Sequence, residues 1–161
     1  MTLVLHRIDD RLIHGQVVVG WGQPLNIQFI VLVDDAVAAS EWEQELYRMG
    51  VPPEMDVYFL NVADAIAALP RYREDSRNGI LLTGDIETMR RLVDDGGIPN
   101  VNLGGIHHRA GRTQRLRYVF LNNDEEAALR DIATQGVSVS AQDVPGARPI
   151  PLDDLLAGVA G

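Results

Sequence analysis

Residues 7–16, RIDDRLIHGQ, bring together side chains suited to phosphoryl chemistry. His14 offers a ring nitrogen as nucleophile, and Gly15 has no side chain to obstruct an approaching anion. Arg11 and Arg7 carry guanidinium forks, which match phosphate oxygens in geometry as well as charge. A helix starting near Gly15 would point free backbone N–H groups and the positive end of its dipole at the His14 side chain. Arg11, Gly15 and Gln16 are therefore the candidate phosphate contacts, with Asp9, Asp10 and Arg7 in support. Asp9 or Asp10 could hold the other ring nitrogen or orient Arg11, and spacing leaves that choice open. By itself, a histidine in a polar loop also fits a surface position or a helix cap, with Asp9-Asp10-Arg11 as a solvated turn.

A second group follows at 104–113, GGIHHRAGRT, and there and just beyond it Arg109, Arg112, Arg115 and Arg117 make a cationic island in an acidic chain. His107, Arg109 and Arg112 are expected either to line a second wall of the phosphate site or to meet the protein that donates the group; a mobile polar loop is the plainer reading. His107 and His108 are adjacent, so on an extended segment they point to opposite sides, and neither has a second ligand at metal spacing. His6 reads as a packed core histidine, and Trp21 and Trp42 as helix-packing residues. Asp34-Asp35 ends an apolar run, but without G-x-G-x-x-G after the first strand a dinucleotide site is poorly supported.

The elements that must position these groups follow from periodicity. Short apolar runs at 3–7, 28–33, 56–60, 79–83, 100–103, 117–121 and 137–141 alternate with segments of helical spacing at 15–22, 36–49, 62–69, 86–95 and 124–135. This alternation predicts an α/β fold, a single domain over 1–161 with a doubly wound, mostly parallel open sheet of about six to seven strands and helices on both faces. Gly50 with Pro52-Pro53, then Pro70, Gly96-Gly97 and Gly136 punctuate the helices. In such sheets ligands lie at the carboxyl ends of strands, where 7–16 and 104–113 both fall.

Composition removes several chemistries. All 14 basic residues are arginine, against 23 acidic residues, for a net charge of −9. That balance argues against non-specific coating of nucleic acid or an anionic bilayer. The lack of Cys excludes disulfides, thiolate metal sites and cysteine-borne phosphoryl groups. The lack of Lys excludes a Walker-type loop, a Schiff base and a kinase-type lysine. An aspartate-phosphorylated receiver domain shares the acidic pairs but needs a lysine after a late strand. MTLVLHRIDD has no basic leader, and no apolar run approaches the roughly 20 residues that span a bilayer, so the expectation is a soluble cytoplasmic protein without direct membrane insertion.

RIDDRLIHGQV, followed by Trp21 and by the apolar strand ending in Val33-Asp34-Asp35, resembles the IIB subunit of the mannose/fructose/sorbose class of sugar phosphotransferase systems (PTS). The resemblance continues through Met49-Gly50-Val51-Pro52-Pro53, Val101-Asn102-Leu103-Gly104-Gly105-Ile106-His107 and GVSVSAQDVP at 136–145, nearly the whole chain. It implies a phosphoryl carrier: His14 takes the group from the phosphohistidine of a IIA domain and passes it to a sugar entering through the membrane subunits IIC and IID. The implied species is a pros-phosphohistidine, and neither a metal nor an organic cofactor is implied. The family fold is likewise a mostly parallel, doubly wound sheet. The stretch 19–24, VGWGQP, is richer in glycine than the family pattern, which would shorten or loosen the first helix. A competing reading keeps His14 but makes its phosphorylation state a signal that controls binding to a regulator. Pro149 to Ala157, with Leu152, Leu155 and Leu156, is expected to pack on the domain or on a second copy, which leaves a homo-oligomer open.

Overall fold

The runs FIVLV at Phe29–Val33 (β2) and GILLT at Gly79–Thr83 (β4) are buried along their whole length, as strands covered on both faces must be. Their side chains alternate between two cores. Phe29, Val31, Val33 and Leu81 enter the larger one, while Ile30, Leu32, Ile80 and Leu82 enter the smaller. The computed structural model describes residues 3–158; Met1, Thr2 and 159–161, the ends of the expected domain span, lie outside the described residues.

β2 and β4 sit side by side in a seven-stranded sheet with Leu3–Ile8 (β1), Asp56–Leu60 (β3), Asn100–Leu103 (β5), Ser138–Ala141 (β8) and Ile150–Pro151 (β9), in the order β3-β2-β4-β1-β5-β8-β9. All pairings are parallel except β8 with β9. The larger core is completed by α3 (Val62–Arg73), α4 (Ile86–Asp94), α5 (Asn123–Thr134) and α6 (Leu152–Leu156). On the other face lie a π-helix (Gln16–Trp21), α1 (Asp35–Ala38) and α2 (Glu41–Met49). Capping follows sequence logic. Asp34, Ser40, Asn61 and Asp85 accept from first-turn N–H groups, and Asn122 with Glu125 forms a full capping box on α5.

The structure departs from expectation in five places. The predicted strand 117–121 is not in the main sheet: Thr113–Leu116 (β6) and Val119–Leu121 (β7) form a separate antiparallel hairpin, with Arg117 and Tyr118 at its turn. The seventh place in the sheet goes to β9 instead. The helix predicted over 36–49 breaks at Ser40, which is extended and caps α2. α3 runs through Pro70 to Arg73, because Leu69 and Tyr72 are buried in the larger core and Tyr72 stacks on Phe29; this packing outweighs the bond that proline cannot make. The helix predicted over 15–22 departs in being a π-helix, Gln16–Trp21; its shorter length agrees with the glycines of 19–24. Trp42, expected to pack, is 70% exposed. The segment 149–157 packs on its own domain, with Leu152 and Leu155 in the larger core.

Gly79 gives a direct test of this packing. A Cβ there would stand 2.3 Å from Cζ of Phe29, a ring itself fully buried against Tyr58 and Tyr72. Gly79→Ala is expected to lower stability by about 1–3 kcal/mol, read as a lower urea midpoint at unchanged slope. An unchanged midpoint would mean that the aromatic cluster repacks freely.

β1 and β5 are neighbours whose following segments leave toward opposite faces, so the sheet has its switch point between them. The two loops meet there. Gly104 donates its N–H to the Ile8 carbonyl at 2.7 Å, and Asp10 donates to the Gly105 carbonyl at 2.9 Å.

Candidate functional site

The loop after β1 is bent by one strained residue. Leu12 has φ of 57°, a left-handed conformation that a bulky side chain rarely adopts. Burial holds it there. Leu12 and Ile13 both sink into the smaller core, and Leu12 donates its N–H to the Asp9 carbonyl at 2.9 Å. With these apolar residues turned inward, the Arg11 side chain is turned toward solvent, while the His14 side chain is only 18% exposed, with its Nε2 buried.

Beneath the loop lies a buried charged network. Arg7 and Asp9 are both fully enclosed, with Nη2 of Arg7 3.2 Å from Oδ2 of Asp9. Arg7 also donates to Oδ1 of Asn102, to the Gln142 carbonyl at 2.9 Å and to the Asp143 carbonyl at 3.1 Å, and it lies over the Trp21 ring at 4.9 Å. Burial lowers the Arg7 pKa while Asp9 raises it. Burial likewise pushes Asp9 up, but the His14 imidazole, the Arg7 guanidinium and the Arg11 N–H outweigh it and bring its pKa to about 2. Arg7 is therefore a buried support and not the phosphate fork that its residue type allowed. Gly104 makes room for it, since a Cβ there would come within 2.3 Å of Nη2.

Asp9 and Asp10 contact different histidines. Oδ2 of Asp9 lies 3.3 Å from Nε2 of His14; the approach is oblique, an ion-pair contact and not an aligned hydrogen bond. Asp10 instead accepts from the His107 N–H at 2.7 Å and holds Nδ1 of His107 at 2.6 Å. Arg11 stands at the mouth, its side chain 40% exposed, with Nε 3.4 Å from Asp9 and Nη2 donating to Gln16 at 2.5 Å. Gln16 in turn donates to Oδ1 of Asp143 at 3.2 Å. Beside this row opens a cleft of about 250 Å³ lined by Arg11, Gln16, Gly105, His107, Tyr118 and Asp143. Gly15 is exposed at the start of the π-helix, whose six residues make only a weak dipole compared with the helix expected there.

The cationic island is smaller than its composition implied. Arg112 forms a bidentate pair with Glu125 at 2.9 and 2.7 Å and donates to the His107 carbonyl at 2.8 Å, so it fastens the loop to α5. Arg115 is likewise paired with the buried Glu126 at 2.7 Å. Arg109 is exposed at the loop tip, and Arg117 has a 90% exposed side chain 3.8 Å from Asp143. His108 sets its ring edge-on to Phe120 at 5.5 Å. His6 is buried beside Asn100, far along β1, and burial lowers its pKa. Asp34 caps α1, while Asp35 accepts from Val62 and pairs with Arg91.

Nearly the whole of this chain, residues 3–160, matches the family model of the PTS system sorbose subfamily IIB component. The chain belongs to that family. As a IIB domain it is 34% identical to the sorbose-specific EIIB component of Lacticaseibacillus casei over 99% of this chain and 96% of that one. It is also 30% identical to the mannose-specific EIIAB component of Escherichia coli K12, covering 99% of this chain but 50% of that protein. Its fold superposes on the crystal structure of the IIBSor domain of the sorbose permease from Klebsiella pneumoniae with a TM-score of 0.89, 30% identity and 99% coverage of both chains. The family, the α/β class and the mostly parallel sheet thus agree with the sequence reading. No helix among the described residues of this IIB domain is long and apolar enough to cross a membrane.

Two parts of the IIB site escaped the sequence reading. Asp143 was visible only as part of the string QDVP, and nothing local ties it to Gln16, 127 residues away. Tyr118 and Phe120, which with Arg117 line the cleft, fall in the run 117–121 whose pattern predicts a sheet strand, and nothing in that run places them beside the cleft.

Proposed function

We propose that this IIB domain carries a phosphoryl group on Nδ1 of His14, taken from the phosphohistidine of a IIA domain and delivered to a sugar at the IIC and IID membrane subunits. The observation that carries this reading is the buried Asp9 carboxylate facing Nε2 of His14 at 3.3 Å. A carboxylate there favours the proton on Nε2, which leaves the Nδ1 lone pair as the nucleophile. In loading, Nδ1 forms the new N–P bond as the donor's N–P bond breaks, and that electron pair returns to the donor imidazole. In delivery, a sugar hydroxyl oxygen attacks phosphorus, the hydroxyl proton is released, and the pair returns to Nδ1. Arg11 at the mouth meets the equatorial oxygens, with the half-buried Gln16 beside it and Gly15 exposed.

Exposed Arg109 and Arg117 add positive charge around the cleft of an otherwise acidic domain, which suits an anionic donor surface. His107, held by Asp10, forms the second wall through its free Nε2. The domain works in the cytoplasm and reaches the membrane only through its protein partners. The mannose-specific relative, twice this length, is named for IIA and IIB together, which supports a IIA domain as the donor.

Transfer of label from phosphorylated IIA is expected for the wild type and absent for His14→Ala, with the adduct acid-labile and base-stable. Label on both proteins would move the site to another histidine. Label accepted but never passed to sugar in the presence of IIC and IID would favour the signalling reading.

A further inference from the structure

The apolar residues of α2 face the wrong way for a core helix. Trp42, Leu46 and Met49 are 70%, 54% and 82% exposed, and no residue of α2 is buried. Spacings of four and three residues place these side chains on one stripe of the helix. Tyr47 alone of its apolar residues packs against the smaller core. A large apolar stripe of this kind on an ordered helix marks a contact surface.

Charge says what kind of partner it fits. The helix carries Glu41, Glu43 and Glu45, and its single cation, Arg48, is held by Glu45 at 3.0 Å and lies over the Phe59 ring at 5.1 Å. The stripe is therefore apolar with an acidic rim. A second copy would bring acidic rims together, which is unfavourable. A phospho-donor that fits the mouth near Arg11, Arg109 and Arg117 must itself be acidic there, and so is a poor match for α2. A partner with apolar pockets and a basic rim is complementary. Cytoplasmic loops of membrane proteins carry an excess of Lys and Arg.

We propose that the Trp42–Leu46–Met49 stripe with its glutamates docks the basic cytoplasmic face of the membrane subunits, apart from the cationic mouth that receives the donor. This rests on the carrier reading above. The two surfaces sort the partners by charge, acidic donor to the mouth and basic acceptor to α2. Trp42 lies in the first turn of α2, which follows β2 by way of α1 and so starts near the carboxyl end of β2, the same end of the sheet that holds the His14 loop, so docking there leaves His14 on the membrane-facing end.

The test is direct binding of the full chain to proteoliposomes containing the IIC and IID subunits of the same system, with protein-free liposomes of the same lipids as control. The wild type is expected to bind the former only, and more weakly as salt rises. Trp42→Ser with Leu46→Ser and Met49→Ser should bind at least about tenfold more weakly, and Glu41→Lys with Glu43→Lys and Glu45→Lys should also lose affinity. Both variants should keep the wild-type circular dichroism and the wild-type rate of loading from phosphorylated IIA. Unchanged binding of the apolar variant overturns the proposal. So does slowed loading, which would assign the stripe to the donor, or conversion of a dimer to a monomer in sedimentation, which would assign it to a second copy. His14→Ala should bind the proteoliposomes like the wild type. Absence of label on the wild type, with binding to the proteoliposomes intact, therefore counts against the carrier reading and leaves the docking surface standing.

Discussion

Asp9→Asn is expected to slow the loading of His14 by about 10²-fold or more, since a misdirected imidazole tautomer is costly wherever a buried carboxylate sets it. The amide occupies the same space but no longer favours a proton on Nε2, so Nδ1 is no longer the preferred lone pair. Single-turnover transfer from phosphorylated IIA measures the effect, and a rate within threefold of the wild type would remove Asp9 from this role. The substitution also changes acid stability. The folded carboxyl titrates at about 2, below its ordinary value of 3.8, so its contribution of about 2 kcal/mol is present above pH 4 and is lost as pH falls toward 2. The wild type should lose more urea stability than Asp9→Asn over that window. Parallel curves would show that Asp9 titrates normally in the folded state.

Arg7→Met should lower stability by about 3–5 kcal/mol, because it strands the Asp9 carboxylate in a fully enclosed site. The carbonyls of Gln142 and Asp143 and the side chain of Asn102 lose a donor at the same time. Removing both charges is a different matter. Arg7→Met with Asp9→Leu replaces the pair by apolar groups, so the part of the loss due to the stranded carboxylate should return, while Asn102 and the Gln142 and Asp143 carbonyls still lack the Arg7 donor. Loading of His14 should remain defective in the double variant. Urea unfolding of the two single variants and the double variant reads the stability, and a loss below about 1 kcal/mol for Arg7→Met would mean that water reaches Asp9. Recovery of stability without recovery of loading separates the structural task of the pair from its chemical one.

Much of the fold was legible because its signals are local. Phe29–Val33 and Gly79–Thr83 are apolar without alternation, which a doubly covered strand requires, and Asn122 with Glu125 announces α5 by spacing alone. What failed depended on distant packing. Pro70 reads as a stop, and only the burial of Leu69 and Tyr72 carries α3 beyond it. β7 is a run of three residues whose partner is the adjacent β6, and nothing in the run separates it from a sheet strand. Within the site, the chemistry of residues 7–16 was visible but the division of labour was not. Arg7 and Asp9 are two apart at the end of a strand, so they share a side, and Asp10 falls on the other; this period would have paired Arg7 with Asp9 in advance. No such rule ties Arg112 to Glu125, 13 residues on, so the island looked more cationic than it is.

β9 has a consequence beyond completing the sheet. A row of parallel strands is a template for adding further chains, and an open β8 would expose unpaired backbone groups to solvent. β9 covers that border with Ile150 and Pro151 opposite Ala141 and Ser140, and Pro151 has no N–H to offer to a newcomer. At the other border, Asp56 at the start of β3 is exposed and paired with Arg77. Both margins of the sheet are thus blunted against aggregation, which lets a domain that must meet partners repeatedly do so through side chains without its strands joining theirs.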